Sequence, residues 1–176
     1  MANADGPHGF RPVRALDGCC ISTQRFAVTA ANGAIGIGDL VVIDSTGLIT
    51  GRSAASPAAG TVVGVAAEPK AASAGGYVAV YASPSIVFEG QTDDGTATAT
   101  AVTAVGNNIN IVDTAPSNGI SQQEFDENTA ATTNTLVFKI LGLYPAVGNA
   151  YGEFNRLEVI LNKGIMVGAG DGATGI

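Results

Sequence analysis

Short runs of Val, Ile and Thr recur between Gly-rich turns along most of this chain, and that alternation restricts its fold more than any other feature. Leu40 to Ile43 reads as a buried strand, "STG" as a turn and Leu48 to Thr50 as the returning strand of a hairpin. "CISTQRFAVTA" (20–30), "TVVGVAAEP", "YVAVYAS" and "SIVFEGQT" supply further strands before residue 92, and "TLVFKILGLYP" and "FNRLEVILN" supply two near the end. Helix formers of the Leu, Glu, Lys and Arg type are scarce, and only 13% of residues are charged. These features predict an all-β fold, a β-barrel or jelly-roll-like sandwich.

A length of 176 residues suits one domain, which can bury an ordinary core without disulfides or metals. Residues 1–18 carry Pro7 and Pro12 among Gly6, Gly9 and Gly18, a pattern that predicts an extended N-terminal arm with neither helix nor ladder strand. Such an arm has too few apolar groups to order itself alone and waits for a partner surface. Residues 19–163 form the single β-rich domain, and residues 164–176 a Gly-rich C-terminal tail. "GRSAASPAAG" is a loop, and the Ala/Thr-rich centre, "DDGTATATAVTAVGNNINIVDTAPSNG", is either one strand pair or a long excursion from the body. Ser121 and Glu124 in "SQQEFDENT" are spaced as a capping box, which predicts one short helix there.

The formal charge of −7 argues against binding nucleic acid through phosphate neutralisation. Acids dominate one part of the chain. Glu89, Asp93, Asp94, Asp113, Glu124, Asp126 and Glu127 lie between Ser83 and Phe138 with no Lys or Arg among them, while Arg11, Arg14 and Arg25 lie near the N-terminus. This asymmetry is either a solvated acidic face or a means of docking opposite-sign patches between neighbouring subunits. Cys19 and Cys20 are adjacent, so they make no disulfide framework and imply folding in a reducing compartment. Neither a signal peptide nor a bilayer-spanning apolar run is seen, which predicts a soluble protein made in the cytoplasm.

The motifs offer little chemistry. "IGIGDLVVIDSTGLIT" (35–50) contains Gly36 and Gly38, yet Val41 stands where a dinucleotide fingerprint needs its third glycine, and a strand follows instead of a helix. A turn that starts a strand is the reading. His8 is the only histidine, and in the arm it lacks the packed surroundings a general base needs. With two adjacent Cys and one His, no spacing builds a tetrahedral zinc site. Asp93, Asp94 and Gly95 suit a turn better than a calcium loop. Glu124 is explained as the capping partner of Ser121, with Asp126 and Glu127 as acids of a helical first turn. The aromatic residues are mostly core candidates, except Phe10, which in the arm is a candidate anchor for a partner's pocket. No catalytic residue, no cofactor-binding residue and no metal ligand is assigned.

Six stretches resemble a family of tailed-phage virion proteins, the capsid cement or decoration proteins: "PHGFRPVR" (7–14), "IGIGDLVVIDSTGLIT" (35–50), "TVVGVAAEPKAAS" (61–73), "SPSIVFEGQTDDG" (83–95), "GISQQEFD" (119–126) and "NAYGEFNRLEVILN" (149–162). They span most of the chain, and their order carries the likeness. The resemblance implies a β body on the outside of an icosahedral head, bridging capsomers of the major capsid protein, with no catalysis; the charge and the lack of a spanning run add no nucleic-acid and no membrane partner. Symmetry of the shell favours a homo-oligomer, a trimer or a dimer. The candidate partner-binding residues are His8, Phe10, Arg11 and Arg14 of the arm. The alternatives are a tail or baseplate structural subunit and, less favoured for want of Trp, a carbohydrate-binding module.

Overall fold

A computed structural model describes residues 3–30, 33–51, 61–93 and 101–165. Eleven strands follow one another: β1 (Arg11–Ala15), β2 (Gln24–Val28), β3 (Leu40–Ile43), β4 (Ile49–Gly51), β5 (Val62–Ala66), β6 (Gly76–Tyr81), β7 (Ile86–Gln91), β8 (Asn108–Val112), β9 (Glu124–Ala131), β10 (Phe138–Leu143) and β11 (Arg156–Leu161). Strands β2-β4-β3-β5-β6 close into a barrel, and β1-β7-β11-β10-β8-β9 make a six-stranded sheet. The sheet is antiparallel throughout. In the barrel one parallel contact, Val28 opposite Ile49, closes the ring. The all-β expectation holds.

The apolar runs that read as buried strands are buried on both faces. Leu40 and Val42 of β3 face the sheet's core, whereas Val41 joins the barrel interior with Val28, Ile49, Val63, Val78 and Val80. A five-stranded barrel is narrow, and the fully buried members of its cluster are no larger than Ile, with half-buried Phe26 packed against them. On β5 a bulge beside Gly64 lets Val62 and Val65, three residues apart, reach the same side. The sheet packs against this outer wall with Ile109, Ile111, Leu157 and Val159 and with a knot of aromatics. Phe10, Phe88, Phe125 and Phe138 interlock there, with neighbouring centroids 4.9 to 6.5 Å apart.

Several expectations are corrected. Arg11–Ala15 is a ladder strand: it pairs with β7, Arg11 opposite Glu89 and Ala15 opposite Ile86. Pro12 is tolerated because β1 is the sheet's edge and a bulge between Pro12 and Arg14 interrupts the ladder where its missing N–H would matter. Phe10, read as an anchor for a partner, is 1% exposed and belongs to the protein's own core. The helix expected at Ser121 is likewise absent; Glu124–Ala131 is strand β9, with Phe125 and Glu127 buried and Glu124 and Asp126 half-buried in alternation. Ser121 Oγ does accept a backbone N–H, but from Gln123 at 3.1 Å, a turn that leads into the strand. The one helical turn among the described residues is a 3₁₀ turn at Val102–Ala104. The C-terminal tail begins inside the fold: Ile165 packs on the barrel cluster and donates its N–H to Val62 O at 2.9 Å. Residues 52–60 of the proposed loop, 94–100 of the Ala/Thr-rich centre and 166–176 of the tail lie outside the described residues.

Candidate interface cleft at the N-terminal segment

Gly36 and Gly38 serve a crossing of chain segments. Each amide of this turn is used within the protein: Gly36 N–H donates to Asp39 Oδ2 at 2.6 Å, Ile37 N–H to Gly119 O and Gly38 N–H to Ala66 O, both at 2.9 Å, and Asp39 N–H to Gly36 O at 3.1 Å. An anion-binding nest needs such amides free. Phe10 N–H donates to Gly38 O at 2.9 Å, Ser121 N–H to Ile37 O at 3.0 Å, and Leu40 N–H to Gln123 Oε1 at 2.7 Å. Three distant segments therefore touch backbone to backbone. Close approach demands glycine at two points: a Cβ on Gly36 would stand 2.6 Å from Ser121 N, and one on Gly9, whose φ is +69°, would collide with Ser121 Cβ.

This crossing lays residues 3–8 along the polar face of the sheet. Asn3 clasps the loop after β10, donating from Nδ2 to Ala150 O at 2.9 Å and Glu153 O at 2.7 Å. Between segment and loop lies an open cleft of about 400 Å³, whose polar lining includes His8, Arg11, Gln91, Asn149 and Arg156. Beneath it, Glu89 is 3% exposed. His8 Nε2 meets its Oε1 at 3.1 Å, and Arg156 Nε donates to its Oε2 at 2.9 Å. The Arg156 guanidinium also lies 4.6 Å from the Tyr144 ring centroid. Burial pushes the Glu89 carboxyl up, but the hydrogen bonds and charges of His8 and Arg156 together outweigh it and hold the carboxyl below its usual range.

A second carboxyl behaves oppositely. Glu124 is pushed up to about 7, first by burial and then by the charges of Asp5 and Asp93. Gln91 bridges the arm to it, donating from Nε2 to Asp5 Oδ1 at 3.2 Å and Glu124 Oε1 at 3.4 Å while its Oε1 accepts Gly6 N–H at 3.2 Å. Burial and Asp93 raise the Asp126 carboxyl as well. Glu124 does not line the cleft, so its raised pKa is separated from the concave surface where a substrate would sit.

Of the four arm residues singled out by sequence, the structure brings His8 to Glu89 and Arg14 to Glu158, as an ion pair with its carboxylate. Phe10 is core. Arg11 is exposed, lines the cleft and has no ion-pair partner among the described residues. Arg25, the third basic residue near the N-terminus, faces Glu68 at 3.5 Å, so Arg14 and Arg25, unlike Arg11, find acids of their own chain. Sequence reasoning missed Glu89, Gln91, Tyr144 and Arg156. A signal existed: Glu89 and Gln91 alternate with Phe88 and Gly90 in "IVFEGQ", which marks polar side chains on one face of a strand that the fold buries on both. Among the described residues no group of three His, Cys, Asp or Glu side chains is placed to hold a metal ion.

The fold and cleft define an all-β protein in which a closed five-stranded barrel is fused to a six-stranded sheet. No family model, no curated protein and no solved structure matches the chain.

Proposed function

We propose that this protein is a virion structural subunit, a capsid cement or decoration protein that binds the outer surface of an icosahedral phage head and bridges neighbouring capsomers. One observation carries the reading: the stretches that resemble that family, scattered over the sequence, converge on one junction. Residues 7–14 and 119–126 cross 35–50 at Gly9, Gly38 and Ser121; Lys70 of 61–73 exchanges backbone bonds with Ile35; and Arg156 of 149–162 grips Glu89 of 83–95. Their convergence gives the resembling stretches one structural locus, and that is what supports the reading. The outer surface adds to it. Ile37 and Ile120, 45% and 46% exposed and opposite each other across a backbone bridge, form an apolar spot that a neighbouring subunit would cover.

In this reading the partner is the major capsid protein, the working form is a homo-oligomer on the capsid surface, and no reaction is catalysed. The cleft that holds Arg11 is the docking feature nearest the N-terminal segment. Electron microscopy of purified heads, with and without the added protein, tests the proposal. Extra density bridging capsomers on the outside is the expected result; heads that bind none of the protein would remove the reading, and labelling confined to tails would replace it with a tail subunit.

A further inference from the structure

The segment joining the sheet to the barrel carries both cysteines, Cys19 and Cys20, each free and exposed. They lie in an unbroken exposed stretch from Leu16 to Arg25. Leu16 and Ile21, 56% and 36% exposed, flank them in sequence. The stretch is anchored at its start. Leu16 N–H donates to Ser85 O at 2.9 Å, Ser85 Oγ to Asp17 Oδ2 at 2.8 Å, and Cys19 N–H to Asp17 Oδ1 at 3.0 Å.

The two thiols are badly placed to bond each other. Adjacent Cα atoms stand about 3.8 Å apart across a trans peptide, short of the roughly 4.4–6.8 Å of ordinary disulfides. A disulfide at either thiol therefore needs a sulfur from another molecule. We propose that Cys19 and Cys20 form a covalent dimerisation site, in which two copies meet about a two-fold axis and Cys19 of each copy bonds Cys20 of the other. Two-fold symmetry also lets exposed Leu16 and Ile21 of each copy be covered by the other. Once the first bond forms, the remaining thiols are held one residue away at an effective concentration of roughly millimolar or more, so the second bond closes the dimer before a third chain adds.

Each bond arises by thiol–disulfide exchange with a disulfide oxidant such as oxidised glutathione. A thiolate of one copy displaces one reduced glutathione, and a thiolate of the other copy attacks the mixed disulfide and displaces the second. Two thiol protons and two electrons leave the protein per bond, and both appear in the glutathione released. The inference rests on the chain's own surface and is independent of head binding.

The test incubates the full chain with excess oxidised glutathione and reads non-reducing electrophoresis and intact mass. The expected product is a discrete species of twice the 17.5 kDa chain, lighter by two hydrogens for each of two bonds and reversed by reductant. Cys19→Ser mixed with Cys20→Ser gives a heterodimer faster than either variant gives a homodimer, because only the mixture restores a 19-to-20 bond. Monomers lighter by two hydrogens, monomers carrying glutathione on both thiols, a ladder of larger oligomers, or equal rates in the mixing experiment would each overturn the proposal.

Discussion

The Phe10 ring lies 4.9 Å from that of Phe125, tilted by 33°, and thereby ties the N-terminal segment to the strand farthest from β1 in the sheet's order. Gly90 of β7 makes room for the pair: a Cβ there would stand 2.8 Å from Phe10 Cδ1 and 2.9 Å from Phe125 Cε2. The start of the chain is therefore part of the core, with consequences for every truncation.

Phe10→Ala removes a ring that is 1% exposed and lowers unfolding free energy by about 3–5 kcal/mol. Chemical denaturation followed by circular dichroism measures it. Deletion of residues 2–18 is expected to lose at least as much, since β1 and the His8–Glu89 pair go with the ring. A deletion that folds as stably as the full chain would show that Phe10 contributes nothing to the core.

Gly36→Ala places a methyl group against the backbone of Ile120 and Ser121, at 2.6–2.7 Å, where no side chain can rotate aside. The expected cost is about 1–3 kcal/mol or more. Gly6→Ala is the control, with nothing within 4 Å of its Cβ, and should stay within about 0.5 kcal/mol of the parent. Equal midpoints for the two variants in urea would contradict the crossing of segments at Gly36.

The Glu124 carboxyl, at about 7 in the fold against 4.5 as its ordinary value, binds its proton more tightly when the protein is folded. Its contribution is fully present below the unfolded value and is lost as pH rises through the folded one. Glu124→Gln should flatten that fall and be the more stable form above neutrality by about 1–3 kcal/mol. Urea midpoints between pH 4.5 and 8 measure it; Asp126, raised in the same direction, leaves a smaller residual slope.

Glu89 gives the opposite sign. Its lowered carboxyl stabilises the fold above the unfolded value, and that contribution disappears as pH falls through the folded one. Glu89→Gln leaves Arg156 and His8 facing a neutral amide in a site where the carboxylate is 4% exposed, which costs about 2–4 kcal/mol near neutral pH. The deficit should shrink toward acid pH, and a constant deficit across pH would exclude the ionic explanation.

Arg11→Glu reverses the charge of an exposed group with no ion-pair partner among the described residues. Stability should move by about 0.5 kcal/mol or less. In a sedimentation assay with emptied heads, the variant should bind several-fold more weakly than the parent if the cleft docks on the shell; undiminished binding would place docking elsewhere.

Most strands could be read directly from residue order, because their signal is local. "LVVI" and the first residues of "TVVGVA" are apolar at consecutive positions, and such runs suit strands covered on both sides. The hairpin at Asp44–Gly47 announced itself through its turn residues. What residue order could not convey was which surfaces meet. Ser121 and Glu124 favour a helix locally, yet burying Phe125 among Phe10 and Phe138 and pairing β9 with β8 outweighs a capping interaction of about 1 kcal/mol. Pro and Gly made residues 1–18 look like a free arm, because the rings that receive Phe10 stand at positions 125 and 138. The Glu89 site has the same origin: His8, Glu89 and Arg156 acquire a shared charge balance only after β7 and β11 pair in register and Gly9 admits the crossing chain. Local backbone preference and side-chain alternation select the strands; burial and electrostatics between distant segments select their neighbours, and those energies exist only once the chain has closed on itself.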